Sequence, residues 1–204
     1  MGNDVLTMAK RFRGFLPVII DVETGGLDHT TDALLEIAMV FVTMNEEGFL
    51  EVGETYHEHV EPFEGARLDP ESLALNGIDP DHPFRFAVDE KIALENLFVP
   101  VKEHLARMGC SRAVLVGHNA WFDLFFMKSA IARAGINKHP FHGFTTFDTA
   151  TMGAMVFGET VLARIADAAG LRFDRNKAHS AIYDAEMTAR LFCIMINACR
   201  GITP

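Results

Sequence analysis

Pro17-Val18-Ile19-Ile20-Asp21-Val22-Glu23-Thr24-Gly25-Gly26 governs the reading of the whole chain. Val18 to Ile20 is a short apolar run that reads as a buried strand. Asp21 and Glu23 follow, with one residue between them. Side chains at i and i+2 of a strand share a face, so both carboxylates project together from its end. Gly25-Gly26 then turns the chain away. Paired acids repel and are costly beside a core unless a positive charge lies between them. A divalent ion meets that need, and all-oxygen ligands suit Mg²⁺ or Mn²⁺ rather than zinc. A solvated strand end explains Asp-x-Glu equally well, so the reading needs further ligands from elsewhere.

Leu34 to Val42 is apolar and rich in β-formers, and reads as a second strand. Phe49 to Val60 reads as a third after a hairpin turn, so the first three strands form an antiparallel meander. His57 and His59 lie two apart on the third strand, on a half-exposed face rather than as metal ligands. Asp69-Pro70-Glu71-Ser72 opens a helix with an Asp cap and Pro at the first position, ending near Gly77. A second helix covers about Asp89 to Met108, and Pro100 inside it should kink or divide it. Ala113 to Val116 is a short buried strand. Gly117-His118-Asn119-Ala120-Trp121-Phe122-Asp123 leads from it into a helix ending at Gly135. Phe144 to Phe147 reads as a fifth strand. Helices follow at Thr149–Phe157, Thr160–Ala169 and from about Ala178. The order β-β-β-α-β-α-β-α implies one α/β domain: a mixed five-stranded sheet, an antiparallel meander then parallel strands, flanked by helices. The first strand should be central, and sites gather at the carboxyl ends of such strands.

At 204 residues, one domain over 1–204 is expected, with 1–9 as a flexible tail. Hydrophobic content of 49% and 23% charged residues are those of a globular protein. No run reaches 18 apolar residues, which excludes a membrane span, and the N-terminus lacks the apolar core of a signal peptide. Cys110, Cys193 and Cys199 have no paired spacing, as expected of thiols in a reducing cytoplasm. A net charge of −10 argues against a nucleic-acid partner. Four carboxylates neutralised by two divalent ions would bring it to about −6. Nucleic-acid binding would then rest on local basic patches: Lys10-Arg11-Phe12-Arg13, or Arg172, Arg175 and Lys177.

Two further acids suit the strand-end pair. Asp123 opens the helix after the fourth strand. Asp184 follows His179 by five residues, which puts the histidine on a turn and the acid one helical turn in. Asp123 alone reads as an N-terminal helix acid favoured by the dipole, and His179 alone as a capping or core histidine. Four acids and a histidine at corresponding ends of their elements form a site.

Asp21-Val22-Glu23-Thr24-Gly25, His118 to Asp123 and His179-Ser180-Ala181-Ile182-Tyr183-Asp184 resemble the three motifs of the DEDD exonucleases, in the subgroup with a histidine in motif three. Arg11 to Gly14, Thr31 to Ala38, Asn76-Gly77-Ile78, Phe147 to Ala150 and Ala178 to Ala181 resemble the ribonuclease T family within it. The likeness runs from about Lys10 to Asn197. It implies an RNase H-like fold and a dimeric, Mg²⁺-dependent 3′→5′ exonuclease. Such an enzyme trims unpaired 3′ ends of stable RNAs, in tRNA end turnover and rRNA maturation, degrades single-stranded DNA and releases nucleoside 5′-monophosphates. By the same likeness Asp21, Glu23, Asp123 and Asp184 hold two Mg²⁺ ions, for which Mn²⁺ can substitute, and His179 is the general base. Two metals activate a water and stabilise the leaving oxygen, and an imidazole can take the water's proton near neutral pH.

The family's substrate groove stacks terminal bases on four phenylalanines. Phe122 and Phe144 match two, whereas Leu27 and Leu75 stand at the others and offer no π face. Trp121 stands where a small polar residue is expected, either replacing a missing ring or joining the core. Gly143 stands in place of a proline. A flatter preference for the 3′-terminal base is therefore expected. Glu71 matches a position that contacts the 3′ nucleotide, and Thr24 joins the substrate-binding set. The family's homodimer brings the basic patch of one subunit to the site of the other, which suits Arg11 and Arg13. Two alternatives stand beside this: a proofreading-type DNA exonuclease, and a module that only binds nucleic acid, which should have lost a ligand or the histidine.

Overall fold

A computed structural model describes residues 7–199. Its elements are α1 (Met8–Arg11), β1 (Phe15–Thr24), β2 (Leu34–Met44), β3 (Leu50–His59), α2 (Pro70–Asn76), a 3₁₀ turn (Pro83–Arg85), α3 (Glu90–Met108), β4 (Arg112–Gly117), α4 (Trp121–Arg133), β5 (Phe141–Asp148), α5 (Thr149–Phe157), α6 (Leu162–Ala168) and α7 (Ala181–Ala198). One sheet has the order β3-β2-β1-β4-β5. β1 pairs antiparallel with β2, and β2 with β3; β4 adds parallel to β1, and β5 parallel to β4. This is the expected mixed sheet with β1 at its centre.

Consecutive residues of β1 and β2 are buried, Leu16 to Ile20 and Leu34 to Val42. Successive strand side chains face opposite ways, so both faces must be covered. α7 packs against β1, β2 and β3, while α3 and α4 pack against β4 and other strands. A main core joins sheet and helices, and a smaller one gathers Ile165, Met187, Leu191 and Met195 between α6 and α7.

Several local expectations are corrected. Residues 1–6 of the expected tail lie outside the described residues. Thr7 instead caps α1, and Met8 is buried in the core. Pro100 does not divide α3, which runs on to Met108. The missing hydrogen bond is tolerated because Leu94, Leu97, Phe98, Val101 and Leu105 are buried along the same helix. α7 starts at Ala181 rather than Ala178, because His179 takes φ 63°, a left-handed conformation that a right-handed helix cannot include. α6 is shorter than expected at both ends. β5 is longer, and irregular: Ala113 faces Phe141, but Leu115 faces Thr146. The surplus residues bow outward between those pairs, which leaves Phe144 exposed.

Candidate active site

β1 delivers Asp21 and Glu23 to the carboxyl end of the central strand. α7 delivers Asp184 from its first turn. Oxygen atoms of these three lie within 4.8 Å of one another. Asp123, on the first turn of α4, is buried beside them and lines the same cavity as Asp21. Its Oδ1 accepts from the Val22 amide at 3.1 Å, so it braces β1 while standing outside the tight trio. Gly117 makes room for it: a Cβ there would lie 2.9 Å from Asp123 Oδ2 and 3.0 Å from the Ala120 Cα.

Burial pushes the Asp21 carboxyl well above the usual range, and Asp123, Asp184, Glu23 and Glu36 add repulsion. Glu23 is pushed up to about 8 by burial, then by Asp184, Glu36 and Asp123. Asp123 rises to about 7 through burial, against the stabilising backbone amides. Asp184 is raised by burial, opposed by the His179 amide and imidazole. Among the described residues no lysine or arginine contributes to these shifts, and Asp184 Oδ1 is buried without a hydrogen-bond partner. Four oxygen-donor acids with one orphaned oxygen fit a hard divalent cation.

His179 lies on the turn before α7. Its exposed backbone N–H donates to Asp184 Oδ2 at 2.9 Å, so its left-handed conformation ties the motif's histidine to its acid. The β4–α4 loop is clamped from β5: the Ala120 amide donates to Asp148 Oδ2 at 2.9 Å, and His118 Nδ1 lies 3.1 Å from Thr149 Oγ1.

The remaining expected residues fall in five places. Leu27 and Phe122 line the cavity with Asp21 and Asp123. Leu75 and Glu71 are exposed on α2, whose Asn76 donates to the Thr24 carbonyl at 3.1 Å. Phe144 is exposed on the bowed part of β5. Thr24 is buried, and its hydroxyl donates to the Gly26 carbonyl at 2.6 Å, so that side chain is committed to the turn. Arg11 and Arg13 precede β1, whose extended run from Phe15 to Asp21 spans about 20 Å, so they stand at the opposite end of the strand from the acids.

Sequence reasoning missed the role of Glu36. It pairs across the sheet with Glu23 on one side and His59 on the other. Its Oε2 accepts from the Ala181 amide at 3.3 Å, and its Oε1 lies 3.2 Å from His59 Nδ1. Ser180, the N-cap of α7, makes no side-chain cap bond. Glu36 thus supplies from β2 the acceptor that α7 lacks. An acid within a run of core residues signals this only after strand pairing is known.

Residues 18–192 match the family model described as Exonuclease. The chain belongs to this family, whose members are metal-dependent 3′→5′ exonucleases. Within it the chain is similar to Ribonuclease T of Yersinia enterocolitica, 52% identical over 96% of this chain and 91% of that one, and equally to Ribonuclease T of Yersinia pseudotuberculosis. Among solved structures, the nuclease domain of 3′hExo, a DEDDh family member bound to rAMP, superposes with a TM-score of 0.70 at 19% identity, over 89% of this chain and 92% of that one. Exonuclease I of E. coli in complex with a dT13 oligonucleotide superposes with a TM-score of 0.69 at 15% identity, over 91% of this chain and 42% of that one. These likenesses show the RNase H-like exonuclease fold.

Proposed function

We propose that this chain trims the unpaired 3′ ends of structured RNAs, in tRNA end turnover and stable-RNA maturation, as a cytoplasmic homodimer that also degrades single-stranded DNA. The observation that carries this reading is the convergence of Asp21, Glu23 and Asp184 oxygens within 4.8 Å, beside Asp123. These four acids would hold two Mg²⁺ ions, which when bound supply an activated water and stabilise the leaving 3′-oxygen. His179 accepts the water's proton on its imidazole; its exposed turn leaves the ring accessible to the bulk for recycling that proton. Asp184, held by the His179 amide, keeps base and metal ligand in fixed relation. Leu27, Phe122, Leu75 and Phe144 surround the terminal nucleotides, Glu71 contacts the last one, and Thr24 fixes the turn beneath it.

Arg11 and Arg13 stand before β1, at the opposite end of that strand from Asp21 and Glu23, which supports a dimer in which they grip RNA bound at the partner's site. The likeness to exonuclease I structures with oligonucleotides, dT13 among them, favours one second reading, a DNA-directed exonuclease. A 5′-labelled RNA hairpin with a short single-stranded 3′ tail, with Mg²⁺ and with EDTA, separates the two. Stepwise Mg²⁺-dependent loss of the tail, absent in Asp184→Asn, is expected. Digestion of single-stranded DNA alone would establish the second reading.

A further inference from the structure

Trp121 is the chain's single tryptophan, and the fold does not account for its exposure. It opens α4 and is 57% exposed, while Phe126 and Met127 of the same helix are buried. An indole this open contributes little to folding. Two neighbouring rings nevertheless flank it. The Phe122 ring lies 5.9 Å away at 88°, and the Phe125 ring 6.1 Å away at 64°. Both contacts are edge-on, so neither ring stacks over the indole. Phe125 is backed in turn by His29, stacked at 5.1 Å and 29°, and His29 Nδ1 lies 2.7 Å from Ser129 Oγ. Phe122, Trp121, Phe125 and His29 form a continuous aromatic wall. It starts at the acids: Trp121 and Phe122 line the same cavity, of about 520 Å³, as Asp21 and Asp123.

We propose that Trp121 is a stacking subsite for a nucleobase of the single-stranded tail, replacing in this chain the rings that Leu27 and Leu75 do not provide. The inference rests on the nuclease reading of the acidic cluster. A base is the occupant this wall fits, since the exposed indole is itself flat and uncharged, no neighbouring ring stacks over it, and it lines the cavity that holds Asp21 and Asp123. Every base presents a π face, so the platform tolerates sequence and favours the larger purines. Stacking also adds affinity without positive charge, which suits a chain of net charge −10.

Two measurements test it. In steady-state hydrolysis of a single-stranded oligoadenylate with Mg²⁺, Trp121→Ala is expected to raise KM roughly 10- to 100-fold with kcat little changed, because a contact made equally in ground and transition state acts on KM. Trp121→Phe should restore most of the loss, and it keeps the test usable if the alanine variant folds poorly. Unchanged KM in Trp121→Ala, or a Trp121→Phe variant no better than alanine, overturns the proposal. In Asp184→Asn with Mg²⁺, a fluorescein-labelled oligoadenylate reports binding by anisotropy while Trp121 emission reports stacking. Quenching that tracks the anisotropy is expected; binding without quenching overturns the subsite alone. A wild-type chain that shortens neither RNA nor DNA overturns the nuclease reading and this inference with it.

Discussion

Asp184 and His179 are bound through the backbone amide of the histidine, not through its ring. Removing the imidazole should therefore leave the acid in place. His179→Gly also relieves a φ of 63° that an L side chain adopts at a cost. We expect that variant to lose turnover by on the order of 100-fold or more, while keeping its thermal midpoint and its stabilisation by Mg²⁺. Differential scanning fluorimetry beside a tail-shortening assay separates these effects. Loss of metal stabilisation along with activity would show that the residue organises the acids rather than moving a proton. Among the acids, Asp21 and Glu23 were legible from their spacing, because period 2 alone puts both on one face. The support each acid receives was not, because the Val22 amide and Asp123 are far apart in sequence and meet only when α4 docks on β1.

Glu36 couples two elements, β2 and α7, by accepting from the Ala181 amide at the uncapped start of the helix. Glu36→Ala should cost about 1–3 kcal/mol in denaturant unfolding, as expected for an orphaned buried amide. Glu36→Gln keeps an acceptor and should retain most of that stability; equal losses in the two variants would locate the effect in charge or in the His59 contact. Strand pairing and helix position followed from apolar periodicity, so the sheet and its order were legible. Three departures came from context that a single element does not carry. α3 absorbs Pro100 because its apolar stripe is buried, β5 bows where its pairing with β4 slips, and α7 starts late because of one left-handed residue.

Across the whole molecule, carboxyls crowd at one end of the sheet with folded-state pKa values raised above those of the unfolded chain. The native state keeps protons that the unfolded chain releases, so metal-free stability should fall as pH rises from about 4.5, the ordinary value for Glu23, through its folded value of about 8. A divalent ion competes with those protons, so stabilisation by Mg²⁺ should grow over the same interval. Thermal midpoints at several pH values, with EDTA and with Mg²⁺, check both slopes; a metal-free midpoint that climbs towards pH 8 would refute the first. The helix that completes this cluster follows every other described element in the sequence, and it packs on β1, β2 and β3 together. Synthesis proceeds from the N-terminus, so a growing chain carries Asp21, Glu23 and Asp123 long before Asp184. The nuclease is then inert while it is being made, surrounded by the ribosome's own RNA, and becomes competent only after α7 has emerged and docked. A chain ending at Lys177 should accordingly leave a 3′ tail uncut, however well its sheet forms.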